Sequence, residues 1–124
     1  GGAGGGAPGP PPVAPAVVAL RMEDVTHWMI ERVSKMPRAH KFTLGDKLVE
    51  TCLEVTCALV DAAYTRDKLG LLAQASRQLT RSRVLARLAH RSRLLSHDQL
   101  LHFEHETVEV GRMLGGWTRS VRRR

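Results

Sequence analysis

LLHFEHETVEVGRMLGGWTRSVRRR, residues Leu100 to Arg124, reads as one long amphipathic helix. Leu100, Phe103, Thr107, Val110, Leu114, Trp117 and Val121 recur at alternating steps of three and four, which places them on a single stripe. Gly111 and Gly115 lie beside that stripe, one helical turn apart. Each glycine costs about 1 kcal/mol of helix stability relative to Ala. Close approach of another helix would account for them, because a missing Cβ lets backbones pack tightly. Trp117 falls on the stripe and is assigned to the core. The helix ends in Arg119, Arg122, Arg123 and Arg124. Cations there complement the negative end of the helix dipole, but four of them exceed what a cap requires.

Working outward from this helix, Ser96 and Gln99 form a capping box, with Leu95 and Leu100 placed as its hydrophobic staple. The preceding segment predicts a third helix to about Arg93. Leu72, Ala75, Leu79, Ser82, Ala86 and Ala89 make a seam of small residues that permits close packing. Arg77, Arg81, Arg83, Arg87 and Arg91 stand on its other faces, with Val84 and Leu88 among them. Thr65 to Lys68 is a tight connection. The second helix is expected to run to about Tyr64, with Thr43 as its N-cap and Asp46 completing an imperfect box. It carries two apolar stripes. Leu44, Leu48, Thr51, Val55, Leu59 and Ala62 form the first; Val49, Leu53, Thr56, Val60 and Ala63 form the second, which suggests a subunit contact. Glu50, Glu54 and Asp61 share the remaining face with Cys57. A first helix is expected from about Glu23 to Met36, ended by Pro37. Its stripe is Met22, Val25, Met29, Val33 and Met36, with Trp28 on the flank.

The start of the chain, GGAGGGAPGPPPVAP, is uncharged Gly/Pro sequence and reads as a flexible tail. Ala16 to Leu20 is apolar but short, and no basic start precedes it as a secretory signal would require. The missing initiator Met reads as a processed or artificial terminus. The expected organisation is a disordered tail over residues 1–20 and one domain over residues 21–124. No segment alternates like a strand. The fold class is all-α: an up-down-up-down four-helix bundle with short connections.

Charge is distributed unevenly along the 124 residues, whose net charge is +7. From Arg21 to Gly70 eight basic and eight acidic residues cancel. From Leu71 onward eleven arginines face Asp98, Glu104, Glu106 and Glu109, so the whole excess lies there. Arginine suits bidentate phosphate contact. A solubilising surface is the bland alternative. With little aromatic interleaving, contact with nucleic acid would be through the backbone, independent of sequence and sensitive to salt. Cys52 and Cys57 point about 140° apart on one helix and cannot bridge within it. They read as buried free thiols in a reducing, cytoplasmic compartment. No apolar run approaches the roughly 20 residues needed to span a bilayer, so no membrane association is expected.

Enzymatic and metal chemistry find little support. His102 and His105 lie near Glu104, Glu106 and Glu109, with His97 upstream. A di-iron bundle needs further carboxylates facing inward, yet the acids of the second helix lie off both stripes and the third helix has none. Cys57 lacks a fixed base and orienting group. The glycines of the last helix follow no strand, so they form no phosphate loop. The expectation is a non-enzymatic protein with no cofactor and no metal.

Two motifs match a known family. WMIERVSKMPRAHKFTLGDKL, Trp28 to Leu48, resembles the first-helix, linker and second-helix region of small four helix bundle proteins. EVGRMLGGWTRSVRRR, Glu109 to Arg124, resembles the C-terminal helix of one branch, the accessory variability determinant (Avd) of diversity-generating retroelements. RSRVLARLAHR, Arg81 to Arg91, is similar to the family's arginine-bearing third helix. The resemblance spans about Glu23 to Arg124; the Gly/Pro-rich start departs from it. It implies protomers assembled as a homopentameric barrel with a basic surface. It further implies partnership with a reverse transcriptase and template RNA, in support of mutagenic cDNA synthesis and retrohoming. By position, Arg77, Arg81, Arg83, Arg87, Arg91, Arg112, Arg119, Arg122, Arg123 and Arg124 become candidates for contact with RNA, cDNA or the reverse transcriptase. Gly111, Gly115 and Trp117 are assigned to helix packing. The alternative is an interaction scaffold of the ribosomal RNA intervening-sequence type, whose arginines meet an acidic protein and no nucleic acid.

Overall fold

The structure, a computed structural model, describes residues 15–124. Most of the tail expected over residues 1–20 lies outside the described residues. The first helix, α1, spans Pro15–Ser34. It therefore starts well before the expected start at about Glu23. Proline is favoured in a first helical turn, and Val18 and Met22, both fully buried, carry the stripe back toward it. The folded domain thus takes in residues that the sequence assigns to the tail.

The linker after Pro37 is ordered as a short helical turn, Arg38–His40, followed by a π-helical stretch, Lys41–Gly45. Thr43 is not the cap that the sequence suggests: it sits inside the π stretch, and its hydroxyl donates to the His40 carbonyl at 3.2 Å. Gly45 gives the reason for this wide turn. A Cβ at Gly45 would lie 2.8 Å from Val33 Cγ1, so the backbone presses directly on α1.

Helix α2 spans Asp46–Tyr64. Leu48, Thr51, Val55, Leu59 and Ala62 of its first stripe are buried, and Leu44 before it is half-buried. Lys68 closes the C-terminal end, donating from Nζ to the carbonyls of Ala62 at 2.7 Å and Thr65 at 2.8 Å. A cation there also meets the negative end of the helix dipole. Helix α3 spans Leu69–Arg91, and all six residues of its predicted seam are buried. It ends in a Schellman motif. The Leu94 amide donates to the Ala89 carbonyl at 2.8 Å and the Arg93 amide to His90 at 2.9 Å. Arg93 takes the left-handed position usually given to glycine, with φ 63°.

Helix α4 spans His97–Arg122 and opens on the predicted capping box: Ser96 accepts from the Gln99 amide at 3.1 Å, and Gln99 accepts from the Ser96 amide at 2.9 Å. Among the described residues there is no strand. Helix α2 packs on α1 and α3, and α4 packs on α3 and α1. Short connections make successive helices antiparallel, so the result is an up-down-up-down four-helix bundle.

Phe103, Met22, Met29, Leu48, Leu59 and Leu72 fill the centre, and Trp117 is only 4% exposed. The buried hydroxyl of Thr26 is satisfied. It donates to the Met22 carbonyl at 2.8 Å and lies 3.0 Å from the Thr56 hydroxyl, tying α1 to α2.

Candidate nucleic-acid interface

The arginine-bearing surface lies along α3 and α4. The seam of α3 turns inward, so the residues between seam positions must turn out. Arg77, Arg81, Arg87 and Arg91 are exposed and Arg83 is half-buried. On α4, Arg112, Arg119, Arg122, Arg123 and Arg124 are exposed.

These ten do not form one patch. Arg77 lies near the start of α3, and antiparallel packing brings the C-terminal end of α4 alongside it. Arg119 and Arg122 to Arg124 therefore join Arg77 at one end of the bundle. Arg87 and Arg91 lie at the other end, with Arg91 about 21 Å further along the helix axis. Arg93, exposed just past α3, extends this second group. The linker shares that end and adds Arg38 and Lys41. It also presents Phe42, 62% exposed, with the Arg38 guanidinium 5.6 Å from its ring centroid. Sequence periodicity does not reveal this pair, because a lone Phe in a polar linker follows no helical period.

Ion pairing decides how much of this charge is available. Arg87 lies 3.9 Å from Glu104 across the α3–α4 contact. Arg112 pairs within its own helix with Glu109, its Nε donating to both carboxylate oxygens at 3.1 Å. That side-chain hydrogen bond holds the Glu109 carboxyl below the usual range. Among the described residues, the other eight of the ten candidates have no acidic partner within 4.0 Å. Arg21, outside the predicted set, pairs with Glu106 at 3.3 Å and fastens α1 to α4.

Between α3 and α4, at the Arg77 end, runs an open groove of about 420 Å³. Leu72, Leu114, Ala73, Gly111 and Gly115 line its apolar part, and Arg77, Arg119 and Arg122 stand on its rim. Within this protomer no helix makes the close approach that the spacing of Gly111 and Gly115 suggests. A Cβ on Gly111 would meet Leu79 Cδ2 at 3.5 Å, and one on Gly115 would meet the Arg119 guanidinium at 3.4 Å. Both are ordinary contacts. Trp117, by contrast, packs in the core as predicted.

The histidines stay apart from any carboxylate cluster. His102 lies against Trp28, ring centroids 4.9 Å apart, and Trp28 in turn stacks on Phe103. Among the described residues no three His, Cys, Asp or Glu side chains converge as metal ligands would. Of the two free thiols expected to be buried, only Cys57 departs from that expectation. Cys52 is buried, and desolvation pushes its pKa up to about 12. Cys57 is exposed on the outer face of α2. Within the described residues no helix is long and apolar enough to cross a membrane.

Neither the curated proteins nor the solved structures contain a match to the chain. A family model described as bAvd-like matches residues 16–121, which takes in all four helices and both arginine groups. The α1 start at Pro15 agrees with where that match begins. With its four-helix bundle, capped C-terminal helix and arginine-lined α3, the chain belongs to the bAvd-like family, whose members are non-catalytic accessory proteins of the retroelement kind.

Proposed function

We propose that this protein serves a diversity-generating retroelement by binding its reverse transcriptase and template RNA through the basic α3–α4 surface, supporting mutagenic cDNA synthesis in the cytoplasm. The observation that carries this reading is the set of eight candidate arginines without acidic partners. Guanidinium groups left unpaired on a helical surface retain their full capacity for bidentate phosphate contact. Among the described residues α3 and α4 expose no Phe, Tyr or Trp, so RNA on this surface would be held by its backbone.

A homo-oligomer, pentameric by family resemblance, would repeat the patches around an axis and raise weak contacts to useful avidity. Part of the second stripe of α2 is exposed and supports self-association: Leu53 is 43% exposed and Val60 37%, whereas Val49 and Thr56 are half-buried against the bundle.

The test is fluorescence anisotropy with labelled single-stranded RNA across a salt series, with and without the reverse transcriptase. Affinity should fall with log salt at a slope of about −0.7 per phosphate contact. The joint Arg81→Ala, Arg83→Ala and Arg91→Ala variant should bind more weakly and with a shallower slope. Salt-independent binding, or capture of the reverse transcriptase without RNA affinity, would favour the acidic-protein scaffold.

A further inference from the structure

Gly111 and Gly115 weaken α4, yet nothing inside the protomer requires the absence of a Cβ at either position. The space a Cβ would occupy there is open to a partner outside the protomer. The groove they line is apolar and free of aromatic side chains, with arginines on its rim. Nucleic acid bases would stack on aromatic surface; an aliphatic, small-residue floor suits another helix. That helix needs apolar residues flanked by acids. The outer face of α2 has this composition. Leu53 and Val60 are exposed there, and Glu50, Glu54 and Asp61 beside them have no cationic partner among the described residues.

Within one protomer the two surfaces cannot meet. Helix α2 packs between α1 and α3, diagonally across the bundle from α4, so its outer face looks away from the α3–α4 groove. A molecule with complementary surfaces on opposite sides associates head to tail, and closes into a ring where the rotation allows. We propose that the α3–α4 groove is the socket for helix α2 of a second copy of this chain. Arg77, Arg119 and Arg122 meet the neighbour's α2 acids, and Gly111 and Gly115 admit its backbone. This rests on the homo-oligomer part of the proposed function and assigns its interface. It also divides the arginines: those on the groove rim hold subunits together, and Arg81, Arg83 and Arg91, which have no acidic partner among the described residues, remain for phosphate.

Cys57, exposed on the docking face of α2, offers a direct test. Cysteine is introduced singly around the groove as Ala73→Cys, Ser76→Cys and Thr118→Cys in the full chain, followed by mild oxidation. At one or more positions the expected product is a disulfide ladder extending beyond dimer on a non-reducing gel, with wild type giving none. In parallel, Glu54→Arg and Arg119→Glu should each weaken assembly by light scattering about tenfold or more, while both in one chain restore it. Gly115→Leu should abolish assembly by light scattering while the protomer keeps its helical circular dichroism.

Assembly without cross-linking at any groove position would overturn the proposal. So would a wild-type Cys57 dimer, which would place two α2 helices face to face. Groove cysteines that become protected only when the reverse transcriptase is added would assign the socket to that protein instead. Salt-sensitive RNA binding, measured on the same samples, stands or falls separately from each of these outcomes.

Discussion

Cys52 and Cys57 sit on one helix under opposite conditions, and burial alone separates them. Cys52 is fully buried beside the Thr26 and Thr56 hydroxyls, while Cys57 faces outward. In native protein near neutral pH, a thiol reagent should titrate Cys57 and leave Cys52 until the chain unfolds. Cys52 also gives the fold a pH dependence. An unfolded thiol ionises near 9.0, whereas burial moves the folded one to about 12. The native state then retains a proton that the unfolded state releases. Stability should therefore fall above pH 9, by about 1 kcal/mol per pH unit. Urea midpoints measured at rising pH should show a flatter alkaline decline for Cys52→Ala than for wild type. At this scale the sequence placed each residue on its helix face but read Cys57 as buried. A five-residue step leaves Cys57 opposite the core, and no neighbouring helix covers that side.

At the scale of elements, glycine behaves in two ways that sequence alone cannot separate. Gly45 and Gly111 are both single glycines next to apolar residues. At Gly45 a Cβ would press on Val33 at 2.8 Å, while at Gly111 it would find ordinary contact. Gly45→Ala should destabilise the fold by about 1–3 kcal/mol through overpacking. Gly111→Ala should stabilise the protomer by up to about 1 kcal/mol through helix propensity. Denaturant unfolding at concentrations where the protein is monomeric would compare them. The sharpest boundary, the Ser96–Gln99 box, was legible because capping needs only residues three apart. The entry to α2 was not. Thr43 has capping chemistry, but the contact of Gly45 with α1, across the α1–α2 connection, selects the π-helical path instead.

For the whole molecule, the arrangement of charge matters more than its sum. The excess of +7 was countable in advance, and so was its confinement to the second half. Antiparallel packing then splits it between the two ends of the bundle. Joint Arg81→Ala and Arg91→Ala substitution should lower RNA affinity while leaving particle mass unchanged. Arg119→Glu should lower mass first, with RNA affinity following as avidity is lost. Light scattering and anisotropy on the same variants would read both. The four helices, their buried stripes and the arginine-bearing surface follow from periodicity, which is local information carried by residues a few positions apart. The early start of α1, the π-helical entry to α2, the ion pairs of Arg87 and Arg21, and the open groove follow from packing. They depend on which side chains distant segments bring together, and a one-dimensional pattern holds no record of those distances.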